Sequence, residues 1–182
     1  MLVAIGLIEL NSIARGIEST DIMLKAADIQ LIDAYPICAG KYMSLISGEV
    51  GAVNSSINAV LENHDPTLVN HLVIPNIHPQ VIPAINMANP VSEIQSVGVV
   101  ESFSVATIIK AADAAVKAAL VDLVEVRLAR GLGGKGYVIM TGLVGAVKAA
   151  VAAAEAEAQA DGLLLSSVII PSPHDDLKQR LL

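Results

Sequence analysis

The chain repeats itself. Ala4–Leu10 (AIGLIEL) aligns with Ser96–Ser102 (SVGVVES), so that Gly6 falls on Gly98 and Glu9 on Glu101, an offset of 92. The same offset carries Ile13 to Val105, Ala14 to Ala106, and Lys25-Ala26-Ala27 to Lys117-Ala118-Ala119. After a two-residue insertion Gly40-Lys41 meets Gly134-Lys135, and Gly48-Glu49-Val50-Gly51-Ala52-Val53 meets Gly142-Leu143-Val144-Gly145-Ala146-Val147. A later shift brings Ile74-Pro75 and His78 onto Ile170-Pro171 and His174. Ordered coincidences over the whole length mark a tandem duplication, because chance similarity does not keep register through two insertions. The copies are read as residues 1–91 and 92–182, with the boundary near Asn89–Gln95, where Asn-Pro and Ser-Glu interrupt the apolar pattern.

Each copy reads as strand, helix, two strands, helix, strand and short helix, an α/β unit with a sheet packed by helices. Val3–Leu10 and Val97–Glu101 are β-branched-rich first strands. Val105, Ile108, Ile109, Ala112, Val116 and Ala119 recur at helical spacing and predict one buried face. Ile13, Ile17, Leu24 and Ala27 are the corresponding expectation in the first copy. Strands are predicted over 29–37 and 121–128, then 42–47 and 137–141. A second helix is marked by Val50, Val53, Ile57, Val60 and Leu61, and in the other copy by Val144, Val147, Val151 and Ala154. Leu68–Ile74 and Leu163–Ile170 are last strands, stopped by Pro75 and Pro171, which have no N–H for a ladder bond.

Hydrophobic residues make up 54% of the chain but aromatics only 2%, so the core has to be built from Ala, Val, Ile and Leu in closely packed helices. Charged residues are only 16%, and so apolar a surface favours self-association. The net charge of −7, with eleven scattered basic residues, speaks against nucleic acid and against an anionic membrane as partners. No apolar run reaches spanning length, and the opening MLVAIGLIELN has an acid where a signal peptide is basic, so the expected location is the cytoplasm.

Cys38 is the single cysteine. It excludes an intrachain disulfide and any metal site needing two thiolates from one chain, but not a site shared between chains. On the residues alone it is either a small buried thiol or such a shared ligand. The run Gly131–Gly136 (GLGGKG) has Ala129 and Gly136 where a phosphate loop needs Gly and Ser or Thr, and reads as a Gly-rich hairpin loop. His64, His71 and His78 recur every seven residues but fall after a helix, in a strand and in a turn, which favours separate structural roles over zinc. No Ser-His-Asp or paired-carboxylate arrangement repeats, so the chain is not read as an enzyme. Lys25 and Lys117 end the two amphipathic helices at equivalent places, either as solvated side chains or as a shared edge contact.

The segments AIGLIEL, LKAAD, GEVGAV and IPNIHP, with SVGVVES, VKAAL, GLVGAV and IIPSPH, resemble the bacterial microcompartment shell domain across essentially the whole chain. The resemblance is to the tandem-domain trimeric type, in particular the iron–sulfur-bearing shell proteins of propanediol-utilisation compartments. It implies a pseudohexameric homotrimer that tiles edge to edge with other shell proteins around enclosed enzymes, with an enclosed redox enzyme as a candidate partner. Lys25 and Lys117 become tile-edge lysines, their ammonium groups reaching backbone carbonyls across the seam. Ile37-Cys38-Ala39-Gly40-Lys41 becomes the pore loop of the first domain, and Ala129–Gly136, with Arg130, Gly131, Gly133 and Gly134, that of the second.

By the same resemblance Cys38 of each chain ligates one [4Fe-4S] cluster per trimer, serving electron transfer across the shell or cluster delivery. The alternative is a structural or metabolite-passing tile without a cluster. The shell proteins it resembles read Cys-Pro-Gly-Lys where this chain has Cys38-Ala39-Gly40-Lys41, so Ala39 is expected to loosen the loop and keep the ligand.

Overall fold

The computed structural model describes residues 4–182 and divides into two compact units. The first comprises residues up to Ile77 together with Arg130–Gly134, and the second His78–Ala129 with Lys135–Leu182. In the first unit β1 (Ala4–Leu10), α1 (Ile13–Ala26), β2 (Gln30–Ile37), β3 (Lys41–Gly48), α2 (Val50–Leu61) and β4 (Leu68–Ile74) form an antiparallel sheet of order β2-β3-β1-β4. The second unit opens with α3 (Val81–Ile85) and then repeats the plan. Its β5 (Ser96–Ser102), α4 (Val105–Ala118), β6 (Asp122–Leu128), β7 (Gly136–Gly142), α5 (Val144–Ala160) and β8 (Leu164–Ile170) give the order β6-β7-β5-β8, followed by α6 (Asp175–Leu181). Val3, predicted to open the first strand, lies outside the described residues. Among the described residues no helix is long and apolar enough to cross a membrane.

The duplication extends to the irregularities. The ladder shifts between Leu31 and Asp33 in β2 and between Leu123 and Glu125 in β6, and again between Glu9 and Leu10 and between Glu101 and Ser102. Ser12 and Ser104 cap α1 and α4, each accepting the backbone N–H three residues on, from Arg15 and Thr107. Segment His78–Gln95 packs in the second unit. His78 N–H donates to Asp113 Oδ1 at 2.8 Å, Leu123 N–H donates to Gln80 Oε1 at 2.8 Å, and Asn89 Nδ2 donates to the Leu123 carbonyl at 2.7 Å.

The two cores solve the same packing problem with opposite choices. A Cβ on Gly16 would lie 2.4 Å from Tyr42 Cβ, so α1 rests on the tyrosine only because Gly16 has no side chain. At the equivalent places α4 has Ile108 and β7 has Gly136, whose added Cβ would meet Ile108 Cγ2 at 2.8 Å. Large and small have exchanged sides, as close packing at constant volume demands. This corrects the expected face of α1: Ile13, Ile17 and Leu24 are exposed, and the helix buries Gly16, Ser19, Thr20 and Met23 instead. The apolar positions of α4 from Val105 to Val116 are buried as read.

A polar pair has been exchanged in the same way. Buried Thr20 Oγ1 donates to the Gly16 carbonyl at 2.7 Å and lies 2.5 Å from buried Ser44 Oγ, which completes the hydrogen bond. The second copy has Ala112 and Val138 at these positions, both fully buried. Removing one partner leaves a buried hydroxyl without its bond, whereas removing both is nearly neutral. Thr20→Ala should therefore cost about 1–3 kcal/mol in urea unfolding. Thr20→Ala with Ser44→Val should recover most of it, and a double variant no better than the single one would contradict this account.

Candidate functional site

β2 and β3 are joined by only Cys38-Ala39-Gly40, closed at the base by the Ile37–Lys41 ladder pair. Gly40 adopts φ 78°, the left-handed conformation that a turn this tight requires and glycine supplies at least cost. Ile37 is buried, Ala39 and Gly40 are exposed, and Cys38 is half-buried as a free thiol at the tip. The Cys38–Ala39 peptide is cis.

Segment Arg130–Gly134 lies in the same compact unit as Cys38. Gly131, Gly133 and Gly134 all have positive φ, which turns successive backbone N–H groups toward one side of the chain. The loop lies against Cys38. Hydrogen bonds from the Gly131 N–H first and the Gly133 N–H next, with Leu132 and Gly134 adding less, hold the thiol below its ordinary range against a smaller opposing effect of burial. A Cβ on Gly134 would stand 3.4 Å from the Cys38 carbonyl oxygen, so the two backbones approach closely. The sequence places these glycines in a separate pore loop. The structure brings Arg130, Gly131, Gly133 and Gly134 together with Cys38.

Two further contacts flank the hairpin. Lys41 Nζ donates to Glu9 Oε1 at 2.6 Å, and the Glu9 side chain is 1% exposed on β1. The recurring pair Lys135–Glu101 is looser, at 3.5 Å with both side chains partly exposed. The Arg130 guanidinium lies over the Tyr35 ring, 4.2 Å from its centroid, three residues before Cys38. Glu9 and Tyr35 were not singled out from sequence; the joint recurrence of Glu9 with Glu101 and of Lys41 with Lys135 was the available signal for the first of them.

The other predicted residues lie elsewhere. Lys25, 74% exposed in the last turn of α1, pairs with Asp21 at 2.6 Å, and Lys117 pairs with Asp113 at 2.5 Å, the same i,i+4 arrangement in each copy. The two acids differ: Asp21 is exposed, whereas Asp113 is largely buried and also accepts the His78 N–H. His64 is in the turn after α2, His71 is exposed on β4, and His78 Nδ1 accepts the Gln80 N–H.

The BMC domain profile matches residues 4–77 and 96–173. This chain belongs to the BMC-domain family. It is similar to the bacterial microcompartment shell protein PduT of Citrobacter freundii, 45% identical over 178 residues that cover 98% of this chain and 97% of the relative. A carboxysome shell protein, CsoS1 of Prochlorococcus marinus, is 35% identical over 90 residues, 48% of this chain and 87% of that protein. Among solved structures, a microcompartment protein from Desulfitobacterium hafniense DCB superposes with a TM-score of 0.90 at 48% identity, covering 98% of this chain and 99% of the other. The fused permuted hexameric shell protein MSM0275 shares the fold, with a TM-score of 0.64 at 23% identity over 87% of this chain and 84% of that one. The chain is thus a structural shell protein of a bacterial microcompartment and not an enzyme.

The donor set at Cys38 fits an iron–sulfur cluster shared between chains. A thiolate is the soft ligand such a cluster takes, and backbone N–H groups favour the negative charge of thiolate and sulfide. Among the described residues of one chain no group of three or more His, Cys, Asp or Glu is placed to hold a metal. One chain alone offers a single free thiol, Cys38.

Proposed function

We propose that three copies of this chain close a pseudohexameric tile of the microcompartment shell, with Cys38 of each copy ligating one [4Fe-4S] cluster on the threefold axis. The observation that carries the reading is the glycine-rich 131–134 loop lying against the backbone of a half-buried thiol at the tip of a three-residue hairpin loop. A residue present once per chain meets its copies only near a symmetry axis, and two similar domains repeated three times make six similar wedges about one. When bound, such a cluster carries single electrons, which suits transfer across the shell to an enclosed redox enzyme or delivery of the cluster itself. Three thiolates leave the fourth iron for water, a small thiol or a partner residue. Protein purified without oxygen should hold roughly four irons and four sulfides per three chains. Iron-free protein after anaerobic reconstitution would leave the tile without a cluster as the better account.

The edge lysines have a separate test. In the isolated chain each spends its charge on an acid of its own helix, and an exposed i,i+4 pair is worth only about 0.3–0.5 kcal/mol. Lys25 can leave Asp21 at small cost to reach carbonyls of a neighbouring tile, whereas Lys117 is held by the more buried Asp113. Lys25→Asp with Lys117→Asp should leave the trimer intact and weaken sheet formation in electron micrographs. Unchanged sheets at the same salt concentration would remove both lysines from the edge.

A further inference from the structure

The loop that supplies amides to Cys38 is poorly suited to hold its own shape. Three of its five residues are glycines with positive φ, and glycine reaches many backbone states of similar energy. Added Cβ atoms on Gly131 and Gly133 would meet nothing within 4 Å, so side-chain packing does not confine those residues. Arg130 opens the loop, and its guanidinium lies on the Tyr35 ring. Tyr35 in turn is fixed by its place in β2, paired with Met43 of β3, two ladder positions from the Ile37–Lys41 pair that closes the Cys38 hairpin. The ring therefore belongs to the same rigid strand pair that presents the cysteine.

We infer that Arg130 stacked on Tyr35 is the clamp that positions the Gly131–Gly134 amides over Cys38, and that both are positioning residues for that site. The inference rests on the reading of Cys38 as the functional residue, but its mechanical content is independent of any cluster. The planar guanidinium can lie flat on an aromatic face and keep its donors free at the edge, which a lysine ammonium cannot do equally well. The clamp belongs to the first copy alone: Arg127 stands in β6 where Tyr35 stands in β2, so the second copy lacks the equivalent ring.

The test is hydrogen–deuterium exchange of the cluster-free trimer, followed at peptides covering 129–137. A partly exposed cation–π contact corresponds to roughly a two- to fivefold change in an opening equilibrium. Arg130→Ala should speed exchange at 131–134 by about that factor, and Tyr35→Leu should do the same. The pair combined should add little further, because both remove one contact. Tyr35→Phe, which keeps the ring face, should exchange like the wild type. Exchange unaffected by Arg130→Ala, additive effects of the two changes, or a Tyr35→Phe variant as fast as Tyr35→Leu would each overturn the clamp. Iron content of the reconstituted variants is read in parallel: an intact clamp in protein that binds no iron refutes the cluster and leaves the clamp standing.

Discussion

On the proposed reading, Cys38→Ser should abolish iron binding and leave the chain's association state unchanged. The hydroxyl keeps the size of the thiol at a half-buried hairpin tip, so the chain loses little packing. The chemistry changes fully, because a serine hydroxyl is not ionised near neutral pH and is a hard donor in place of a soft one. The amide loop sharpens the contrast. With Gly131 and Gly133 donating to the sulfur, the wild-type thiol ionises below its ordinary range, and more thiolate is present at neutral pH than an unperturbed cysteine provides. The sign is fixed: a depressed folded pKa favours the folded state above the unfolded pKa, and the effect is lost as pH falls through the folded value. Iodoacetamide labelling of the iron-free wild type should therefore reach half its plateau rate at a pH below that of the unfolded chain. Equal midpoints would mean that the amides do not act on Cys38.

Lys41→Met should destabilise the first unit by about 3 kcal/mol, the low end for breaking a buried pair, since Lys41 retains some solvent contact. Glu9 is the reason. Its side chain is 1% exposed, and losing the 2.6 Å contact to Nζ takes the cation away from a carboxylate held in the interior. Adding Glu9→Gln should recover a large part of the loss, because a neutral amide is far cheaper to bury. The duplication provides the control: Lys135→Met removes the 3.5 Å partner of a Glu101 that is 38% exposed, and should cost less than about 1 kcal/mol. Similar losses at Lys41 and Lys135, measured by denaturant midpoint, would show that burial of Glu9 is not what matters.

The repeat made the architecture legible, because equivalent strands, caps and helices carry equivalent residues at a constant offset. It did not make the first copy's helix face legible. Periodicity assigns Ile13, Ile17 and Leu24 to the core, but Tyr42 fills that space against Gly16 and turns a polar face with Thr20 inward. A pattern of side chains along one helix cannot report a bulky residue arriving from a strand 26 positions further on. The site was half legible. Cys38 is visible as a lone thiol beside Gly40, and Gly131–Gly134 as a glycine-rich loop. Nothing local joins them, since their meeting depends on how a loop of the second repeat folds with the first unit. Tyr35 and Arg130 are separated by more than half the chain for the same reason.

Native mass spectrometry of the anaerobically purified protein tests the central claim most directly, because it reads association and cofactor in one ion. The account predicts a particle of three chains carrying the additional mass of one Fe4S4 unit, and three bare chains for Cys38→Ser. Three bare chains from reconstituted wild type, or an iron–sulfur mass retained on a single chain, would contradict it.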